Sequence, residues 1–187
     1  MRTVTLHQAS DVLAADPDQA DRLLALERVE LFNPFERHER ELLARGMRRL
    51  RFAAGESIIK QGEAGDSLYL IAEGDVLVSL GARGVDQSVT TLRPGDFFGE
   101  MSLMTGEPRT ANCSARTDVI CYLLDHATFQ QIVTMRPEIA DQMSALLARR
   151  QAHLDRKGGE LTVRAAQHSS EMRSKLLARI KKFFELD

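Results

Sequence analysis

The spacing of the glycines constrains the fold of this chain more than any other feature of the sequence. Nine of the 12 glycines lie between Gly55 and Gly106, with short apolar and β-branched runs between them. Glycine reaches the positive φ values of tight turns without steric cost. Short apolar runs with turn signals at intervals of about 8–12 residues are typical of a sandwich or barrel. We therefore expect an antiparallel, jelly-roll-like β-roll of about eight strands that closes with residues 119–124.

Helical patterns flank the predicted β-roll. Before it, leucines among charged residues predict a helix over residues 18–28. Asn33-Pro34 is expected to cap a second helix that runs to Ala44, because asparagine accepts hydrogen bonds from first-turn amides and proline fits the first turn. After the roll, Asp125 is the predicted N-cap of a helix over residues 126–135.

The end of the chain is predicted to be helical as well. Pro137 opens a long amphipathic helix that Gly158-Gly159 ends. Small and polar residues at 161–170 predict a linker, and the helix predicted over 171–184 has an apolar side and five basic residues. The sequence thus predicts an α+β fold in which helices flank the roll. Its expected segments are an N-terminal strand and helical connector (1–30), a central domain (31–157), a linker (158–170) and a basic amphipathic helix (171–187).

Composition and charge exclude several classes of protein. The chain has 25 Lys and Arg against 27 Asp and Glu, a formal charge of −2, whereas a nucleic-acid binder needs a basic surplus. A hydrophobic content of 43% argues against disorder. No apolar run approaches the roughly 20 residues of a membrane span, and the start lacks a signal peptide. Cys113 and Cys121 lie in apolar runs without ligand partners nearby, so we expect a reduced, cytoplasmic protein without a metal site.

The most informative stretch runs from Phe97 to Ala111. It predicts a strand end, a glycine, one helical turn, a tight turn and a strand that begins with arginine. Backbone N–H groups at a helix start favour an anion. Gly99 lets a ligand approach the backbone, and Arg109 supplies a planar cation that suits phosphate. Glu100 suits sugar hydroxyls, which offer donors.

This stretch resembles the phosphate-binding cassette of the cyclic nucleotide-binding domain family. The matching residues are Phe-Gly-Glu at 98–100, Ser-Leu at 102–103 and Pro-Arg-Thr-Ala at 108–111. Residues 62–71, Glu73-Gly74 and residues 93–99 also resemble the family. The resemblance covers roughly residues 31–157 and implies an eight-stranded antiparallel β-roll with C-terminal lid helices. It further implies cAMP or cGMP as the ligand, with no cofactor.

The resemblance implies a role for each residue of the site. Arg109 is expected to pair with the equatorial phosphate oxygen, and Glu100 to accept a hydrogen bond from the ribose 2′-hydroxyl. Thr110 is expected to bind phosphate through its hydroxyl or N–H, next to Ala111. The remaining implied ligand contacts are the backbone N–H groups of Gly99, Met101 and Ser102, the base-facing strand residues Val78 and Thr90, and the lid residue Arg150, with Arg149 and Leu147 as its neighbours.

Other readings of these residues stay open. Arg149-Arg150 on a long amphipathic helix also fits a solvated face, and Val78 and Thr90 also fit ordinary barrel interior. In members of the family, a hydroxyl at the position of Thr110 can accept a hydrogen bond from the guanine 2-amino group of a syn base, so the resemblance makes cGMP feasible beside cAMP. Sequence motifs of nucleotide hydrolases, zinc proteases and serine hydrolases are absent, so the sequence predicts a binding domain rather than an enzyme.

The chain ends suggest an attached effector. The roughly 30 residues from Gly158 to Asp187 are too few for the winged helix-turn-helix of the catabolite-activator branch, and a single domain departs from the tandem pair of kinase regulatory subunits. The alternating segment Arg2–His7 and the tail at 176–184 resemble the cytoplasmic end of bacterial small-conductance mechanosensitive channels. The predicted partners are therefore a cyclic nucleotide and the channel domains of a parent inner-membrane protein or of neighbouring subunits, which leaves a homo-oligomer open. The alternative is a degenerate domain that serves assembly alone.

The basic C-terminal helix has two readings of its own. A helix with an apolar face and Lys and Arg beside it can lie on an anionic membrane surface. It can equally dock on a neighbouring subunit or on its own β-roll, and docking is the expectation here.

Overall fold

Eight strands in two antiparallel sheets form the centre of the molecule. The computed structural model describes residues 17–82, 85–157 and 165–186. The predicted strand at Arg2–His7 lies outside the described residues. The strands are β1 (Arg48–Phe52), β2 (Ser57–Ile59), β3 (Ser67–Glu73), β4 (Val76–Ala82), β5 (Val85–Leu92), β6 (Phe97–Phe98), β7 (Asn112–Ala115) and β8 (Val119–Asp125).

The two sheets face each other across an apolar interior. The first has the strand order β1-β8-β3-β6 and the second β2-β7-β4-β5. Their pairings confirm the predicted eight-stranded antiparallel β-roll. Because side chains alternate along a strand, β3 contributes to two clusters. Tyr69 and Ile71 pack inside the roll, whereas Leu68 and Leu70 pack against the helices.

Six α-helices surround the roll within the described ranges. The helical cluster between the first sheet and these helices contains the largest buried side chains, among them Phe32, Phe35 and Phe129. This confirms the predicted order of helices, roll and helices. The helices are α1 (Pro17–Glu27), α2 (Arg37–Gly46), α3 (Glu100–Thr105), α4 (His126–Met135), α5 (Glu138–Lys157) and α6 (Ala165–Phe183).

The predicted cap at Asn33-Pro34 is wrong. A short 3-10 helix, Glu30–Phe32, ends at Asn33, and α2 begins only at Arg37. The chain turns first because Leu31 and Phe32 are buried in the core. The helix then starts where the backbone N–H of Glu36 finds a side-chain acceptor, Glu39 Oε2, at 2.7 Å.

The cap at Asp125 is confirmed. Its side chain accepts a hydrogen bond from the backbone N–H of Thr128 at 2.9 Å, and α4 runs from His126 to Met135 as predicted. Burial alone would raise the pKa of the Asp125 carboxyl, but the hydrogen bonds from Thr128, together with the nearby charge of Arg48, lower it.

A buried ion pair joins the N-terminal helices to the bend between α4 and α5. Glu39 in α2 has only 2% of its side chain exposed, and its Oε2 lies 2.7 Å from Arg136 Nη1. Arg136 also pairs with Glu138 at the start of α5, at 3.1 Å. Arg136 therefore connects the start of α5 to α2.

The C-terminal helix begins earlier than predicted and is docked on the protein. α6 starts at Ala165, so residues 165–170 of the expected linker are helical, because Ala165, Ala166 and Gln167 are good helix formers. Its apolar side, Leu176, Ile180 and Phe184, is buried in the helical cluster. Across the described ranges, none of the helices has the length and apolarity that crossing a bilayer requires.

Candidate functional site

The candidate site lies at the start of the short helix α3. Gly99 is its N-cap residue and has φ +82°, a left-handed conformation that favours glycine. In the part of the chain that the structure describes, no side chain caps this end of α3. The first-turn backbone N–H groups, including those of Met101 and Ser102, therefore have no acceptor within the helix. The local positive potential of these donors favours a negatively charged group.

The side chain of Arg109 lies beside this helix start. It is only 6% exposed, which is unusual for arginine. Nη1 donates to the backbone oxygen of Ser67 at 2.6 Å and to that of Gly99 at 3.0 Å. Nη2 donates to Ser67 Oγ at 2.9 Å. All three acceptors are neutral.

The positive charge of Arg109 is therefore left without a compensating carboxylate. Among the described residues, no Asp or Glu forms an ion pair with it. A buried charge is expensive unless a counter-charge accompanies it. The arrangement thus suits the binding of a small anion at the guanidinium edge.

Two glycines allow the guanidinium to lie so close to the backbone. A Cβ atom on Gly65 would come within 2.6 Å of Arg109 Cζ, and one on Gly99 within 2.6 Å of Arg109 Nη1. Any side chain at either position would push the arginine away. The glycines on both sides of Arg109 thus fix where its charge lies.

The backbone around Arg109 is held by the loop between β2 and β3. The N–H of Arg109 donates to Glu63 O at 2.8 Å, and the N–H of Gly62 donates to Arg109 O at 2.8 Å. Below the guanidinium, the rings of Tyr69 and Phe98 stack with centroids 5.0 Å apart, and Arg109 Cζ lies 5.8 Å from the Tyr69 centroid. Backbone and side chain of the arginine are both anchored.

The other predicted cassette residues surround the same helix start with different exposures. Ser102 is buried at 1% exposure, whereas Thr110 is exposed. Glu100 is half-buried and its carboxylate forms no ion pair with the described residues. Met101 and Ala111 are half-buried as well.

The predicted base-facing residues lie on the second sheet. Val78 on β4 is opposite Thr90 on β5 and opposite Cys113 on β7, and the register shifts directly after Val78. Val78 packs against the roll interior, so its side chain points into the β-roll. Burial raises the pKa of the Cys113 thiol to about 12, with a further rise from Glu100 and partial offsets from Arg109 and Arg150.

Arg150 on α5 reaches the strand that leads into the cassette. Its Cζ lies 3.8 Å from the centroid of the Phe97 ring, and its Nη2 donates to Phe97 O at 2.8 Å. The neighbouring Arg149 is exposed. The structure thereby distinguishes the two arginines, although the lid role of Arg150 over a base stays a prediction.

Sequence reasoning assigned no role to Ser67, Gly65 or Tyr69. One signal was available: Ser67 is a polar residue at the start of an otherwise apolar strand, directly after a glycine-rich loop. Such a residue, when buried, needs a hydrogen-bond partner. Within the described ranges, no cluster of His, Cys, Asp and Glu could hold a metal ion.

Known proteins resemble this chain over the segment that contains the β-roll. The family model of the cyclic nucleotide-binding domain matches residues 49–136. A CRP-like cAMP-activated global transcriptional regulator of Mycobacterium tuberculosis is 32% identical over 131 residues, which are 70% of this chain and 58% of that protein. A cyclic nucleotide-gated potassium channel of Mesorhizobium japonicum is 39% identical over 99 residues, or 53% of this chain and 26% of the channel.

Solved structures give the same result. The regulatory domain of Toxoplasma gondii PKA, crystallised with cAMP, superposes with a TM-score of 0.63 at 26% identity, over 73% of this chain and 50% of that one. The chain spans between 26% and 58% of the length of the curated relatives named here. The chain is thus similar to one part of each of these relatives. Between residues 49 and 136, the chain is a member of the cyclic nucleotide-binding domain family.

Proposed function

We propose that the chain is a regulatory domain that binds cAMP, or cGMP as the alternative ligand, and that ligand binding modulates an attached effector. The observation that supports this most directly is the buried guanidinium of Arg109, which has no carboxylate partner among the described residues and lies beside the uncapped start of α3. A cyclic phosphodiester supplies the missing anion. Relatives named for cAMP support the choice of the first ligand.

The roles that we propose for the remaining residues are those that the family resemblance implies. Arg109 pairs with the equatorial phosphate oxygen, and the N–H groups of Gly99, Met101 and Ser102 bind the phosphate together with Thr110 beside Ala111. Glu100, whose carboxylate forms no ion pair with the described residues, accepts a hydrogen bond from the ribose 2′-hydroxyl. Val78 and Thr90 face the base from the second sheet, and Arg150 closes over it from α5.

Ligand binding changes the packing between the cassette and the helices. Leu103 and Met104 on α3 are fully buried in the cluster that also holds Phe129 of α4 and Leu147 of α5. A shift of α3 toward the phosphate therefore disturbs this cluster, and α5 closes over the base. The link from Arg136 to Glu39 passes the movement to the N-terminal helices. Ligand and effector are coupled only through such differences between two states.

The effector we propose is a bacterial ion channel of the cyclic nucleotide-gated or mechanosensitive type. In that setting, residues 1–30 connect the pore to the domain, which extends from 31 to 157, and the chain is cytoplasmic at the inner membrane. We expect the domain to bind its ligand without hydrolysing it, because one arginine and one glutamate supply neither an activated nucleophile nor a metal for hydrolysis.

Titration calorimetry of the chain with cAMP and with cGMP tests the function. We expect saturable binding of one nucleotide per chain, with a loss of at least about tenfold in affinity for Arg109→Ala, since a charged hydrogen bond contributes about 1.5–3 kcal/mol. Arg116→Ala, at an exposed arginine beyond the cassette, is the matched control. Failure of both nucleotides to bind at millimolar concentration contradicts the proposal and favours an assembly module.

A further inference from the structure

α6 is anchored in the helical cluster by its last turns. Leu176, Ile180 and Phe184 are 5%, 1% and 1% exposed. The Phe184 ring lies 4.7 Å from the His126 ring and 5.6 Å from the Phe129 ring, between centroids. The end of the helix is therefore fixed on α4.

From this anchor, α6 contacts the loop that leads from α3 to Arg109. The Phe183 ring fills the space that a Cβ atom on Gly106 would need, and Gly106, with φ +67°, is the residue that ends α3. One turn earlier, Arg179 forms an ion pair with Glu107. Glu107 lies only two positions before Arg109 in the sequence. Both contacts thus act on the segment that sets the position of the arginine.

A third contact joins α6 to α5. Arg173 Nη2 lies 2.8 Å and 3.0 Å from the two carboxylate oxygens of Asp141. A cavity of about 310 Å³ lies between α3, α5 and α6, with Met101 and Leu147 in its lining. The contacts at Gly106 and Glu107 thus hold the C-terminal end of α3 on α6, whereas the contact at Asp141 fixes α6 on α5.

We propose that α6 is a brace for the phosphate cassette, and that Phe183 and Arg179 are positioning residues for the cyclic nucleotide. The inference rests on the proposed function and extends it to a helix outside the matched family segment, residues 49–136. Neither residue needs to touch the ligand. They act by holding the loop at Gly106 and Glu107, and through it Arg109.

The docking of α6 is expected to strengthen nucleotide binding, because the site is already arranged for an anion when α6 is docked. With α6 docked, Arg109 already lies beside the helix start, and the first turn of α3 is uncapped. The docked arrangement is thus the one prepared for an anion. Binding free energies are reciprocal, so a brace that strengthens ligand binding must itself be strengthened by the ligand.

Nucleotide affinity and hydrogen exchange test the brace on the full chain. For Phe183→Ala, we expect the cAMP dissociation constant to rise about five- to tenfold, a coupling in the usual range. Phe183→Leu, which keeps an apolar group against Gly106, should restore most of the affinity. Lys182→Ala, at the adjacent exposed position, is the matched control and should bind like the parent chain. Arg179→Gln should also weaken binding.

The exchange measurement separates positioning from mere stability. In the parent chain, cAMP should slow amide exchange in α6, and this protection should be lost in Phe183→Ala at saturating ligand. Equal affinity of Phe183→Ala and the parent chain, or α6 exchange that cAMP leaves unchanged, overturns the brace. Absence of cAMP and cGMP binding in the parent chain overturns the proposed function instead.

Discussion

Arg109 and Ser67 form a two-point contact in which Nη1 donates to the backbone oxygen at 2.6 Å and Nη2 donates to Oγ at 2.9 Å. The residues are 42 positions apart, and Ser67 is 7% exposed. Two bonds to one residue fix the plane of the guanidinium as well as its position. Ser67 thus orients the charged group that we expect to bind phosphate.

Replacement of Ser67 tests this orientation. Ser67→Ala removes the Oγ acceptor but keeps the backbone bond. We therefore expect the cAMP affinity to fall about five- to tenfold, less than the full value of a hydrogen bond to a charged group, because the two backbone acceptors still hold the guanidinium. Ser57→Ala, at an exposed strand-start serine, is the control. Calorimetry measures both variants. Equal affinities for Ser67→Ala and the control would show that the backbone contacts alone orient Arg109.

Gly65 is expected to be required because it leaves room for the Arg109 guanidinium, and not because of its backbone conformation. Its φ lies outside the left-handed region, yet a Cβ there would overlap the Arg109 guanidinium. Gly65→Ala should therefore displace the arginine and weaken cAMP binding by at least about tenfold.

Gly95→Ala is the control for Gly65→Ala, because it should strain the backbone without displacing Arg109. Gly95 has φ +93°, and a Cβ atom at this position would meet nothing within 4 Å, so alanine there strains the backbone without touching the site. We expect a lower melting temperature with unchanged nucleotide affinity. Thermal unfolding and calorimetry of the pair separate the two effects, and weaker binding in Gly95→Ala than in Gly65→Ala would contradict this assignment.

The buried carboxylate of Glu39 should matter more for stability than neighbouring exposed charges. It accepts from Glu36 N and from Arg136, each at 2.7 Å. For Glu39→Ala, we expect a loss of about 2–3 kcal/mol in the free energy of unfolding, because two hydrogen bonds to a charged acceptor disappear. Urea denaturation checks this. Glu41→Ala, which breaks the exposed pair with Arg37, should cost less than about 1 kcal/mol.

The two cysteines should be inert in the folded protein. Burial raises the pKa of both thiols, Cys113 and Cys121, to about 12, whereas an unfolded thiol ionises near about 8.5. A thiol reagent at pH 8 should label neither residue until the chain unfolds in urea. Above a pH of about 8.5, the unfolded chain loses the two thiol protons while the folded chain still binds them. The free energy of unfolding should therefore fall as the pH rises above about 8.5. Rapid labelling of the native protein would contradict the burial of these groups.

The roll could be predicted because its determinants are local. Glycines at the turns and short apolar runs specify the strands without any knowledge of distant contacts. Asp125 caps α4 as predicted for the same reason, since it accepts from an amide three residues away. The start of α2 could not be read from Asn33-Pro34, because the burial of Phe32 decides where the chain turns.

The site was only partly accessible to sequence reasoning. A family pattern identified Gly99, Glu100 and Arg109, and the structure brings Gly99 and Arg109 into contact at 3.0 Å. The contacts of Arg109 with Ser67 and of Phe183 with Gly106 join residues that are distant in sequence. No local pattern specifies such pairs, because they depend on how the helices pack on the roll.

The adjacent arginines of α5 allow the lid to be tested. Arg150 contacts the ring and the carbonyl of Phe97 at the entrance to the cassette, whereas Arg149 is exposed. A guanidinium that already stacks on one flat ring can exchange it for a purine at little cost in desolvation. For Arg150→Ala we therefore expect about a fivefold weaker affinity for cAMP, close to 1 kcal/mol, and faster dissociation. Arg149→Ala should leave both unchanged. Stopped-flow displacement of a fluorescent cAMP analogue measures the dissociation rates, and equal rates in the two variants would assign the lid to another residue of α5.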